Sequence, residues 1–173
     1  MAMAPQVEKL LALSGARYEL VAHPRSRTSI QTADYADIPG DRLVKAVVLE
    51  DEQGKLMAVL PSTRSVHMGH LTTQLERRVR LADEDELPSI FPDCAPGAVP
   101  PLGPVYGLRM VVDTSLDALD EVYFEAGDHQ HLVRMDAARF RELLGAAPRV
   151  DFGAHERHAT QKPMAPSSPR APE

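Results

Sequence analysis

Apolar residues recur at Val7, Leu10, Leu11 and Leu13, the spacing of one helical face, and Gly15 follows directly, so residues 5–14 are predicted helical. Tyr18-Glu19-Leu20-Val21 predicts a short strand, and residues 32–36 a second helix stopped before Pro39-Gly40. Two apolar runs, Leu43–Leu49 and Leu56–Leu60, flank Asp51-Glu52-Gln53-Gly54 and predict a hairpin. Val66–Glu76 and Glu84–Ile90 carry helical patterns. Beyond a Gly/Pro-rich segment, Arg109–Val112 predicts a strand and Ser115–Leu119 a turn or short helix. Val122–Glu125 and Leu132–Met135 predict a second hairpin. Asp136 stands as an N-cap before the run 137–144, which Gly145 closes.

Hairpins outnumber βαβ-like steps. The expected fold is therefore α+β, a mixed, largely antiparallel sheet surrounded by helices. The pattern contains no internal repeat and stops near Asp151, after which Lys162–Pro172 has nothing to bury. Residues 1–150 are read as one folded domain and 151–173 as a Pro-rich disordered tail.

Composition narrows the class. With no Trp and only 5% aromatics, the core must be built from Leu, Val, Ala and Met. The single cysteine, Cys94, excludes an internal disulfide and a cysteine-based metal cluster, and it fits a reducing cytoplasm. The N-terminal segment has no signal-peptide pattern, and no apolar run approaches the roughly 18 residues of a membrane span. A cytoplasmic protein without a membrane partner is expected. The net charge of −6 argues against DNA or extensive nucleic-acid binding, yet leaves room for a small local contact. Arg77-Arg78-x-Arg80, followed by Asp83–Glu86, reads as a solvated mixed-charge surface.

Candidate chemistry gathers in Gly97-Ala98-Val99-Pro100-Pro101-Leu102-Gly103. The prolines remove two backbone donors and stiffen the segment, whose remaining N–H groups are suited to an oxyanion or a carbonyl oxygen. The plainer alternative is an ordinary turn. Lys45 is the cation within an apolar run, Leu43–Leu49. It is either a strand lysine with its stem on apolar surface or a partly desolvated cation that contacts phosphate or ribose oxygens. His129 and His131 follow Gly127 in the second hairpin turn, where a surface histidine is the plainer reading. His67 and His70 share helical spacing but lack a third metal ligand. His155-Glu156-Arg157-His158 is one residue short of the zinc-protease spacing. Cys94 has no visible base to activate it. Neither a metal nor a cofactor is expected.

The order of these elements resembles the YbaK / prolyl-tRNA-synthetase-associated domain family of trans-editing aminoacyl-tRNA deacylases. The resemblance runs from residue 3 to 146 and rests on Lys45 in its apolar run, Gly97-x-x-x-Pro101, Val122–His129 and Leu132–Met135. It implies catalytic roles for Lys45 and Gly97, and substrate contacts by Ala98, Pro100, Pro101, Gly127 and either His129 or His131. The loop amides would polarise the aminoacyl ester, the 2′-hydroxyl of the terminal ribose would help activate water, and Lys45 would hold the acceptor end. It further implies a small amino acid of the Ala, Cys, Ser or Thr class. The expected partners are the aminoacyl-tRNA acceptor end and an aminoacyl-tRNA synthetase. The alternative is a non-catalytic module that binds a nucleotide or tRNA end.

Overall fold

The computed structural model describes residues 3–155. Its centre is a long hairpin of β2 (Leu43–Asp51) and β3 (Gly54–Pro61), in register from Val44↔Pro61 to Asp51↔Gly54. β6 (Arg109–Asp113) runs parallel to β3, and β9 (Arg149–Val150) parallel to β6. On the other edge of β2, β7 (Glu121–Glu125) lies parallel to its first residues and β5 (Arg80–Leu81) antiparallel to its last. β8 (His131–Asp136) returns antiparallel to β7, and β1 (Tyr18–Ala22) closes that edge. The result is one mixed sheet in the order β1-β8-β7-β2-β3-β6-β9, with β5 beside β2. The expected α+β class and both hairpins are present.

Strand alternation sends successive side chains to opposite faces. Val44, Val48, Phe124 and Val133 meet Val7 and Leu11 of α1 (Pro5–Ser14) and Phe140 and Leu144 of α5 (Ala137–Leu144) on one face. On the other, Leu49, Leu56 and Leu60 pack with Leu71 of α3 (Met68–Leu75), and Leu43, Tyr123 and Leu132 pack under Ala33 of α2 (Ser29–Tyr35). α4 (Leu87–Ile90) leads into the Gly/Pro-rich loop. α2 starts three residues before its predicted beginning, because Thr28 caps it by accepting from the Gln31 N–H at 3.1 Å.

Two expectations shift for one reason, a contact between distant segments. Val66 is not helical: it belongs to β4 (Arg64–Val66), which pairs antiparallel with β10 (Gly153–His155). The composition break at Asp151 accordingly falls inside the fold. Phe152 is 1% exposed, and the buried Asp113 carboxylate accepts from the N–H groups of Phe152 at 3.0 Å and Gly153 at 2.7 Å. The rest of the predicted tail lies outside the described residues.

Candidate active site

The Gly/Pro-rich loop is anchored from below. Ala98, Pro100, Pro101 and Leu102 are buried, and Phe91 packs edge-on against Tyr106 with ring centroids 4.8 Å apart. Ala98, Pro100 and Pro101 therefore set backbone position at the site and present no exposed side chains. Gly97 is the exposed point of the loop, with φ +81°. Among the described residues its N–H has no acceptor, whereas the Ala98 N–H already donates to Ala95 O at 3.0 Å. Of these two adjacent amides, the one at Gly97 is the unengaged donor, on an exposed residue.

The turn between β7 and β8 fixes this loop from the side. Ala95 N–H donates to Gly127 O at 2.7 Å, and the His129 Nε2–H donates to Pro96 O. A side chain on Gly127 would begin 2.8 Å from Ala4 Cβ, so its bareness lets the N-terminal segment approach; it is buried there. His129 has φ +64°, a left-handed conformation uncommon outside glycine. The Asp128 carboxylate organises the same turn by accepting from the N–H groups of Gln130 at 2.9 Å and His131 at 2.8 Å. His131 also places Nδ1 2.6 Å from Asp128 Oδ2, whereas the ring of His129 turns to the loop. The structure thus separates two histidines that the sequence left equivalent.

α2 completes the enclosure. A cavity of about 130 Å³ is lined by Arg27, Thr28, Ser29, Thr32, Gly97, Glu125 and His129. Thr32 is buried and donates to Thr28 O at 3.0 Å; its hydroxyl lies 3.5 Å from Glu125 Oε1. Burial, with the negative charge of Asp128 behind it, pushes the Glu125 carboxyl up to about 7, while the Thr32 contact pulls weakly the other way. Sequence reasoning missed Glu125, Thr28 and Thr32. Nothing local marks them, since a polar residue ending a strand looks solvent-facing until a helix covers that face.

Lys45 stands one strand over. The parallel β2/β7 register pairs Leu43 with Tyr123 and Val44 with Phe124, and Lys45 is the next residue of β2, alternating onto the face of Leu43. Its Nζ donates to Ser62 O at 3.5 Å. Beyond Gly97 lies a second, less polar hollow of about 420 Å³, walled by Leu87, Pro88, Phe91, Pro92, Pro96 and Val99 among others. Gly97 is common to both cavities. Two larger surface hollows, of about 640 and 570 Å³, lie around Tyr18–Arg134 and Leu75–Leu143 and include none of the predicted site residues.

The other candidates resolve into structural roles. Burial, reinforced by Asp93, pushes the Cys94 thiol up to about 12 despite a contact from Tyr106 at 3.3 Å, so no thiolate forms near neutral pH. His67 Nδ1 accepts from the His70 N–H at 3.0 Å as the cap of α3, and the two rings stack. No group of three or more potential metal ligands occurs among the described residues. Arg77 and Arg80 pair with Asp51 and Glu50, at 3.7 and 2.6 Å. Among those residues, too, no helix is long and apolar enough to cross a membrane.

Several solved structures share this fold. One, described as a candidate trans-editing enzyme for prolyl-tRNA synthetase, is 24% identical with a TM-score of 0.75, over 87% of this chain and 96% of that one. A hypothetical protein is 23% identical with a TM-score of 0.75, over 86% and 99%. A protein from Marinobacter aquaeolei VT8, described as a candidate signal transduction protein, is 26% identical with a TM-score of 0.68, over 86% of this chain and 30% of its own. None of the curated proteins compared matches the chain. The family model for the aminoacyl-tRNA editing domain matches residues 23–143, from the segment before α2 into α5 and including Lys45, the Gly97 loop and His129. The chain belongs to the aminoacyl-tRNA editing domain family, of YbaK type.

Proposed function

We propose that this protein is a hydrolase that removes a small amino acid, of the Ala, Cys, Ser or Thr class, from mischarged tRNA. The observation that carries this reading is that Gly97, whose N–H has no acceptor among the described residues, lines both a small polar cavity and a larger, less polar hollow. The smaller cavity suits the aminoacyl group, and its volume of about 130 Å³ disfavours bulky side chains. The larger hollow suits the terminal nucleoside. Between them the ester carbonyl would meet the Gly97 N–H, which stabilises the oxyanion as water adds.

An aminoacyl ester is reactive enough that positioning and oxyanion stabilisation suffice without an acid–base dyad of side chains. As the family resemblance implies, the 2′-hydroxyl of the terminal ribose assists the water, and Lys45 holds phosphate or ribose oxygens of the acceptor end. The need for such a hydrolase is physical. A synthetase pocket separates amino acids that differ by one methylene by only about 1–3 kcal/mol, so a second sieve is required. The neighbour described for prolyl-tRNA synthetase makes a synthetase of that kind a natural partner to try first.

The test is incubation of the full chain with a panel of tRNAs charged with Ala, Cys, Ser, Thr and Pro, with ester loss followed over time. Faster loss from a small-residue ester than the uncatalysed rate supports the reading. Binding without turnover replaces it with a non-catalytic module.

A further inference from the structure

The buried polar atoms around the small cavity form an unusual pair. Glu125 Oε2 and His129 Nδ1 are both buried without a hydrogen-bond partner, and both residues line the cavity. The histidine's role follows from its other nitrogen. Pro96 O only accepts, so His129 Nε2 carries the proton in that bond, which leaves Nδ1 of the neutral ring as an acceptor. Glu125 Oε1 has only the long Thr32 contact, at 3.5 Å. The cavity thus holds two buried acceptor atoms without a hydrogen-bond partner, where most buried polar groups are satisfied.

Resting on the deacylase reading above, we infer that Glu125, with His129 Nδ1, receives the α-ammonium group of the substrate's amino acid. An ammonium brings three N–H donors and a positive charge, which is what two unpartnered acceptors in a desolvated wall lack. The α-nitrogen is separated from the ester carbonyl oxygen by only two carbons, so one small cavity holds both. Fixing the nitrogen at Glu125 and His129 would then set the carbonyl at Gly97, which lines the same cavity. The elevated Glu125 carboxyl fits a group awaiting a cation, because a bound ammonium supplies the counter-charge that burial and Asp128 withhold. Arg27, also in the lining, is exposed and directly precedes the Thr28 cap of α2, a place for an anionic part of the ligand. On this basis the protein requires a free amino group: it acts on aminoacyl esters and rejects N-acylated or peptidyl ones.

The experiment uses two non-hydrolysable probes, 3′-alanylamino-3′-deoxyadenosine and its N-acetyl derivative, titrated calorimetrically into wild type, Glu125→Gln and Glu125→Asp. Wild type should prefer the free amine by at least about tenfold, the equivalent of roughly 1.4 kcal/mol. Glu125→Gln should lose that preference, and Glu125→Asp should retain part of it, an ordering that a merely structural glutamate would not produce. Equal binding of the two probes by wild type, no binding of the amine probe, or an undiminished preference in a folded Glu125→Gln overturns the inference. If Glu125→Gln does not fold, Glu125→Asp keeps the test decisive: an undiminished preference in that variant overturns the inference in the same way. Selective binding of the amine without ester hydrolysis would refute the deacylase reading alone.

Discussion

A Cβ added to Gly97 would lie 3.3 Å from both Cε1 and Nε2 of His129, closer than most real Cβ contacts. The bare backbone of the loop and the imidazole of the β7–β8 turn are thus fitted to each other. Gly97→Ala would push on that ring and force an alanine into φ +81°. Turnover of a small-residue ester should fall roughly 10²–10³-fold, the cost of losing one aligned oxyanion donor. Cys94→Ser, three residues away, should keep most activity, because its thiol is held up to about 12 and supplies no thiolate. An inactive Cys94→Ser beside an active Gly97→Ala would reverse the proposed mechanism.

Lys45→Ala should leave the thermal midpoint nearly unchanged, since Lys45 is only partly buried. Deacylation should drop strongly through loss of acceptor-end binding. Wild-type kcat/KM in the folded variant would remove Lys45 from the site.

The raised carboxyl of Glu125 makes a signed prediction about pH. Its native value is about 7 and its ordinary value 4.5, so between these the native state holds more protons than the unfolded chain. Stability from this group therefore falls as pH rises through that window and levels off above it. Other carboxylates move the opposite way, Asp51 being held low by Arg109, so the difference between two proteins is the measurement. In the ligand-free protein, Glu125→Gln should gain stability relative to wild type as pH goes from 4.5 to 8. A constant difference in denaturant midpoint across that range would contradict the assignment.

Phe152 bears on where the domain ends. Phe152→Ala should cost about 3–5 kcal/mol, the range for removing a buried aromatic. Truncation before Phe152 should lower the thermal midpoint by many degrees, because it also strips two N–H donors from the buried Asp113. An unchanged midpoint would restore the earlier boundary at Asp151.

Local signals decided most of the elements. Asp136 announces α5 and does cap it, accepting from the N–H groups of Ala138 at 2.8 Å and Arg139 at 3.3 Å. The Asp51–Gly54 turn and the alternation on either side specify the central hairpin, because both act within a few residues. Lys45 and Gly97 stood out for the same kind of reason, a cation in an apolar run and a glycine in a proline-stiffened loop. What no local pattern carried was anything made by distant chain segments. β4 and β10 are three residues each and exist only as partners across almost ninety positions of chain. His129 parted from His131 only when Pro96 and Asp128 each took a ring. Glu125 looked like a solvent-facing strand end, and it became a desolvated carboxyl only when α2 and Thr32 closed over that face of the sheet. Sequence determines which backbone conformations are cheap at each position; which polar atoms lose their water is decided only when the layers pack.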